Sequence, residues 1–278
     1  MKLIKRISDW KSESSVLGRP YGLVPTMGSI HDGHLSLIRR GRADSDTLIA
    51  SIFVNPTQFS ESEDFQTYPK NLEADLEKME NAGVDVVFFP AIEEMYPNGF
   101  DTYVEPGKIA SRLEGKHRSG HFRGVATVVS KLFSIFQPAR AYFGQKDFQQ
   151  IIVIRNMAQD LNLDVEIIVE PTVRDREGLA LSSRNSYLSK SERYAASILY
   201  KSLSGAEELY INGECDAEKI RRYMLKAIQS EPRARIEYVS ISDAQTLIEL
   251  DQVDRPAVAA VAAWFGTTRL IDNICFDN

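Results

Sequence analysis

The feature that most constrains this chain is the alternation of short apolar runs with amphipathic stretches over roughly its first 170 residues. Runs at Tyr21–Val24, Leu48–Val54, Val84–Phe89, Ala141–Phe143 and Val165–Val169 are short and apolar, as strands buried on both faces must be. Between them, His34–Arg42, Leu72–Ala82, Gly124–Phe136 and Phe148–Leu161 carry apolar residues at helical spacing. Parallel strands need crossover connections, so strands alternating with helices predict a Rossmann-like α/β fold: a parallel sheet with helices on both faces. Ligands of such sheets bind outside the carboxyl ends of the strands. The residues that follow each run therefore carry the functional reading.

After the first run comes Pro25-Thr26-Met27-Gly28-Ser29-Ile30-His31-Asp32-Gly33-His34, and then a helical face opened by Leu35, Leu37 and Ile38. A strand feeding a glycine-containing turn and a helix N-terminus directs backbone N–H groups and the positive helix end toward one spot, where an anion is favoured. Gly28 and Gly33 leave room for a bulky ligand near the backbone. His31 and His34, three residues apart, project to one side and donate hydrogen bonds to phosphate oxygens. The pair lacks a nearby third ligand at zinc-like spacing, since Cys215 and Cys275 are remote. The predicted ligand is a nucleoside triphosphate.

Further polar segments follow the other runs. Asn55-Pro56-Thr57-Gln58 offers amides that hold hydroxyls or a carboxylate without adding charge. Asp75, in the next helix, is a candidate oxygen ligand for Mg2+. Lys108–Lys131 gathers six Lys and Arg residues with His117 and His121 against a single acid, Glu114. In a chain of net charge −6 this is a local cationic loop suited to polyphosphate, whereas the whole surface is unsuited to nucleic acid. Gly144-Gln145-Lys146-Asp147 combines close approach, a phosphate-neutralising amine and a helix-capping or ribose-binding carboxylate. Ser182-Ser183-Arg184 supplies two hydroxyls and a guanidinium.

From about residue 175 the texture changes. Ser189–Ile211 and Asp216–Ile228 read as helices, and Ile236–Ser242, Thr246–Leu250, Ala257–Phe265 and Arg269–Ile274 as strands. Helices followed by strands predict a smaller C-terminal α+β domain with an antiparallel sheet. The expected division is 1–174 and 175–278. The amino terminus has no apolar signal core, no run is long enough to span a membrane, and two cysteines make no disulfide framework. The expected location is cytoplasmic.

Taken together, Pro25–Leu37, Phe53–Phe59, Gly120–Val125, Gly144–Asp147, Leu181–Asn185 and Arg269-Leu270-Ile271-Asp272-Asn273 resemble the pantothenate synthetase (pantoate–β-alanine ligase) family of the nucleotidylyltransferase superfamily. The resemblance implies an AMP-forming ligase. Pantoate attacks the α-phosphate of ATP, pyrophosphate leaves, and β-alanine then displaces AMP from pantoyl-adenylate. It implies ATP contacts from Met27, Gly28, Ser29, Ile30, His31, Asp32, Gly33 and His34, from Gly144, Gln145, Lys146 and Asp147, and from Val173, Leu181, Ser182, Ser183 and Arg184. His34, His31 and Lys146 would be the catalytic groups, with Gln58, Gln150, Asn55 and His121 around pantoate. It also implies Mg2+, a homodimer and a C-terminal domain that serves as a lid over the hydrolysable adenylate. The chain departs from relatives at Ala74, where some carry a second acid, at Gln145, where glutamate is frequent, and at Leu181, in place of methionine. An adenylyl- or cytidylyltransferase of the same superfamily is the alternative reading.

Overall fold

The structure, a computed structural model, describes residues 1–61 and 63–276. Its first compact unit holds 1–145 and 149–171, and its second holds 146–148 with the chain from 172 onward. In the first unit the order is β1 (Lys2–Ile4), α1 (Ile7–Glu13), β2 (Tyr21–Thr26), α2 (Asp32–Asp44), β3 (Thr47–Ile52), α3 (Leu72–Asn81) and β4 (Val86–Phe88). There follow α4 (Ile92–Met95), α5 (Leu113–His117), α6 (His121–Phe136), β5 (Arg140–Gly144), α7 (Phe148–Asp160) and β6 (Glu166–Glu170).

Among the described residues these strands form one parallel sheet in the order β1-β4-β3-β2-β5-β6. β2 thus lies between β3 and β5, at the point where the strand order reverses, and parallel sheets bind ligands outside that point. Strand β3 is buried at all six positions, and Val24, Leu48, Ala50, Val87 and Tyr142 pack with Ile38 of α2 and Met79 of α3 in one core. Each such fully buried aliphatic side chain contributes about 1.5–3 kcal/mol.

The amino-terminal β1 and α1 lie outside the predicted elements. β1 joins the sheet beside β4, and α1 buries one side chain: Trp10 packs edge-on against Tyr21 and Phe136, at 5.3 and 4.9 Å between ring centroids. A short helix with one apolar anchor has no periodicity to read.

Helix α6 is apolar on most of its circumference, and so it is buried. Its Gly124 is pressed on the turn after β3. A Cβ there would come within 2.3 Å of the Thr57 carbonyl oxygen and 2.6 Å of Gln58 N. Only glycine lets the helix backbone approach that turn.

The second unit contains α8 (Lys190–Ala196), α9 (Ile198–Ile211), α10 (Ala217–Gln229), β7 (Ala234–Asp243), β8 (Ala257–Phe265) and β9 (Thr268–Phe276), the strands forming an antiparallel sheet in sequence order. Alternate residues of β8 (Ala257, Ala259, Val261, Ala263 and Phe265) meet Leu199, Leu203, Ile220, Met224 and Ile228 of the helices. Two expectations are corrected here. The helix predicted over Ser189–Ile211 is interrupted at Ser197, and Thr246–Leu250 is a turn instead of a strand. Asp243 Oδ1 accepts from Gln245 N, Thr246 N and the Thr246 hydroxyl, which leaves only an isolated bridge from Ser242 to Glu249.

Gly124→Ala should destabilise the protein by about 1–3 kcal/mol, the usual range for overpacking, read as a lower urea midpoint at unchanged m.

Candidate active site

Strand β2 ends at Thr26 and the chain turns at once. Gly28 and Ser29 both take the left-handed conformation, with φ of 83° and 54°. Glycine adopts it readily, but serine needs to be held there. Asp75 of α3 does the holding: its two carboxylate oxygens accept from Ser29 N and Ile30 N, each at 2.7 Å. Lys78, on the same face of α3, donates from Nζ to the Ile30 carbonyl at 2.6 Å. The turn amides of residues 29 and 30, read from sequence as phosphate donors, are therefore engaged by a carboxylate of the same unit. Asp75, read as a magnesium ligand, has both oxygens on backbone. Among the described residues no group of three His, Cys, Asp or Glu side chains could hold a metal ion. Asp75 is thus committed to the turn backbone.

Beyond this turn His31 caps α2. Its Nδ1 accepts from Gly33 N at 3.2 Å, while Nδ1 of His34 accepts from His31 N at 3.4 Å. This is a reciprocal capping box built from two imidazoles, whose ring centroids lie 4.1 Å apart. A ring nitrogen that accepts from an amide carries no proton, so each neutral ring bears its hydrogen on Nε2. The backbone has fixed both tautomers, and two N–H donors stand at the positive end of α2.

The segment after β3 is organised by Asn55, which is fully buried. Its Nδ2 donates to Gln58 Oε1 at 3.0 Å and to the Gly124 carbonyl at 3.1 Å. Its Oδ1 accepts from Thr57 N, the Thr57 hydroxyl and the Tyr96 hydroxyl, the last at 2.7 Å. Burial pushes the Tyr96 phenol up to about 12, so it remains a donor throughout the physiological range. With Oε1 held by Asn55, Gln58 Nε2 lies 3.3 Å from the Met27 sulfur, which joins the two loops.

His121 opens α6 and is buried. Its Nδ1 is 2.9 Å from the Gln58 carbonyl, to which it donates, and its Nε2 accepts from Arg118 Nη1 at 3.0 Å. Arg118 Nε in turn donates to Glu63 at 2.5 Å, and Ser60 N donates to the other Glu63 oxygen at 2.7 Å. Burial, then the Arg118 charge, lowers the His121 pKa to about 4, so the ring is neutral. Burial raises the Glu63 carboxyl, but the Arg118 charge and the Ser60 amide outweigh it and the net displacement is downward.

At the end of β5, a Cβ on Gly144 would meet no atom within 4 Å, which leaves open space beside that backbone. On α7, Gln150 is half-buried. It is the adjacent Gln149, not singled out in the sequence, that is buried: it donates to the Ile109 and Arg112 carbonyls at 2.8 Å and accepts from Glu114 N.

In the second unit Leu181 N donates to the Val173 carbonyl at 2.9 Å, and Arg174 bridges Ala180, so Val173 and Leu181 are partners across a hairpin. Ser182 Oγ accepts from Arg184 N and caps the turn Ser183–Tyr187. Lys146 Nζ is 3.4 Å from Asp147 Oδ1.

The family model described as Pantoate-beta-alanine ligase matches residues 1–275. The chain belongs to that family. It is 58% identical over 255 residues to a pantothenate synthetase of Dehalococcoides mccartyi, covering 92% of this chain and 95% of the relative. It is 54% identical over 277 residues to that of Acetivibrio thermocellus, covering 99% of each. Pantothenate synthetase from Thermus thermophilus superposes with a TM-score of 0.94 at 42% identity, with 99% of both chains covered. The ligase from Francisella tularensis, solved with β-γ ATP and β-alanine, gives 0.80 at 35% identity over 99% of this chain and 97% of that one. The expected α/β sheet with a C-terminal antiparallel sheet is the fold these ligases share.

Sequence reasoning found Met27, Asn55, Gln58 and His121, which the fold gathers around one pair of loops. It missed Lys78, Tyr96 and the Glu63–Arg118 pair, which support them from elsewhere in the chain. No local motif marks such residues, because their contacts reach across 48, 41 and 55 positions respectively.

Asp75→Ala leaves two turn amides without their carboxylate and should cost about 2–5 kcal/mol of unfolding free energy, measured in urea. The pH dependence of stability follows from His121. Its folded pKa is about 4, below the unfolded 6.5, so the unfolded chain binds the extra proton as pH falls from 6.5 toward 4. Stability from this group is therefore present above pH 6.5 and lost toward pH 4, by roughly 3 kcal/mol. In His121→Gln this part of the slope should vanish, so the wild-type and variant urea midpoints should differ least near pH 4.

Proposed function

We propose that this chain joins pantoate to β-alanine through an adenylate. The observation that carries the reading is the backbone-locked histidine pair at the start of α2, beside a loop where Met27 meets Gln58. ATP supplies the phosphates, and the pantoate carboxylate attacks the α-phosphorus. The new C–O–P linkage forms as the bond to the bridging oxygen of pyrophosphate breaks. A carboxylate is ionised at neutral pH, so the step needs no base; it needs charge stabilised on the phosphoryl oxygens and the leaving group. The Nε2–H groups of His31 and His34 and the amine of Lys146 supply that stabilisation in this reading, together with Ser182, Ser183 and Arg184. The remaining ATP contacts are those of Met27–Gly33, Gly144, Gln145, Asp147, Val173 and Leu181.

Pantoate is held by Gln58 and Gln150. Asn55 and His121 act behind them, fixing the side chain and the carbonyl of Gln58 respectively. The neutrality of His121 matters here, because only a neutral ring can accept from Arg118 at Nε2 while it donates to the Gln58 carbonyl at Nδ1. In the second step the neutral amine of β-alanine attacks the acyl carbon, the C–N bond forms, the amine loses a proton and AMP leaves. Positioning dominates that step. Magnesium enters with ATP, as the counter-ion of the phosphates. Cys215 and Cys275 form no disulfide, which accords with a cytoplasmic enzyme. No helix among the described residues is long and apolar enough to cross a membrane. The homodimer implied by the resemblance is measured by sedimentation.

Pantoate-dependent exchange of pyrophosphate into ATP tests the reading. His34→Ala and Lys146→Ala should each cut it roughly a hundredfold or more, as loss of one electrostatic donor does. Wild-type exchange in either variant would remove that residue from its role. AMP released only after β-alanine is added separates this ligase from a nucleotidylyltransferase that keeps AMP in its product.

A further inference from the structure

One pentapeptide singled out in the sequence, Arg269-Leu270-Ile271-Asp272-Asn273 in β9, has no part in the chemistry above. Its last two residues are both buried, which is uncommon for a carboxylate and an amide on one strand. Adjacent strand residues face opposite ways, and each of these grips a different segment. Asp272 receives Arg174 two-fold, Nη1 to Oδ2 at 2.5 Å and Nη2 to Oδ1 at 3.0 Å. Arg174 belongs to the hairpin that leads through Leu181 into Ser182–Arg184. It also donates to the Gly178 carbonyl at 3.2 Å and stacks over Tyr200 at 3.9 Å. The planar fork therefore ties both arms of that hairpin to β9. Asn273 Nδ2 donates to the Lys146 carbonyl at 2.8 Å, across 127 positions of sequence.

We infer that Asp272 and Asn273 are positioning residues that set the phosphate-binding groups of the second unit from a single strand. Asn273 fixes the peptide plane of Lys146 and with it the direction of its side chain. Asp272 fixes the hairpin that ends in Ser182–Arg184. A two-point anchor of this kind holds an amine and a guanidinium in one frame, as stabilisation of a developing phosphoryl charge requires. The inference rests on the proposed role of Lys146 in ATP chemistry, so its test separates the two.

The experiment measures pantoate-dependent ATP–pyrophosphate exchange for Asn273→Ala, Lys146→Ala and the double variant, with KM for ATP and for pantoate measured separately. Asn273→Ala should lower kcat/KM for ATP about tenfold or more and leave KM for pantoate within about twofold. The double variant should be no slower than Lys146→Ala alone, because Asn273 acts through Lys146. Effects that multiply in the double variant would overturn the inference, as would a KM for pantoate raised as much as the KM for ATP. Wild-type exchange in Lys146→Ala would instead overturn the reading of Lys146 itself. Should Asn273→Ala prove poorly folded, Asn273→Leu fills the volume without the donor and the same non-additivity is expected of it. A Leu variant with wild-type kcat/KM for ATP overturns the inference.

Discussion

The Asp75 carboxylate on the amides of Ser29 and Ile30 is the contact from which the candidate site is built. Without a counterpart there, a left-handed serine and two N–H groups would sit unsupported next to the first turn of α2. With it, the turn has one conformation and the helix starts in one place. Lys78 closes the same turn from its carbonyl side, so α3 grips both polarities of one peptide segment. Geometry elsewhere in the first unit follows from that fixed start, since the capping histidines are counted from it.

Around this turn the first unit resolves the competition between burial and polarity in the same manner each time. Asn55, Gln149 and His121 are buried, and in each case the hydrogen-bonding groups are matched to backbone carbonyls, amides or neighbouring side chains. An unmatched buried group costs about 1–3 kcal/mol, so such networks have one low-energy arrangement and many poor ones. Rigid loops are the outcome. They suit the proposed reaction, whose second step depends on placing an amine against an acyl carbon before water reaches it.

The sheet and its order of segments were legible because parallel strands declare themselves as short apolar runs and their crossovers as amphipathic stretches. Trp10 shows the limit: a helix with one anchor leaves no periodic trace. Thr246–Leu250 shows another. Its apolar residues fit a strand, yet the Asp243 side chain offers the local backbone amides a better partner than a neighbouring strand does. In the candidate site the glycine–histidine segment was legible as a nucleotide signature, and Asn55 and Gln58 as a polar turn. What the sequence concealed was division of labour. Asp75 was visible as an acid near a phosphate loop, but only the fold reveals that its oxygens serve backbone. Arg118 sits in a stretch that reads as a cationic loop for polyphosphate, and its pairing with Glu63 across 55 positions has no local signature.

The reciprocal imidazole cap has a consequence for how variants of this chain are interpreted. The same two rings that offer hydrogens outward also close the first coil of α2 through their inward nitrogens. Truncating either one abolishes a donor and frays the coil that carried it, so a kinetic defect blends two losses of different origin. Asparagine at either site keeps a carbonyl oxygen for the amide while surrendering the outward hydrogen. The difference between asparagine and alanine at one position therefore reports the architecture, and what remains reports the chemistry.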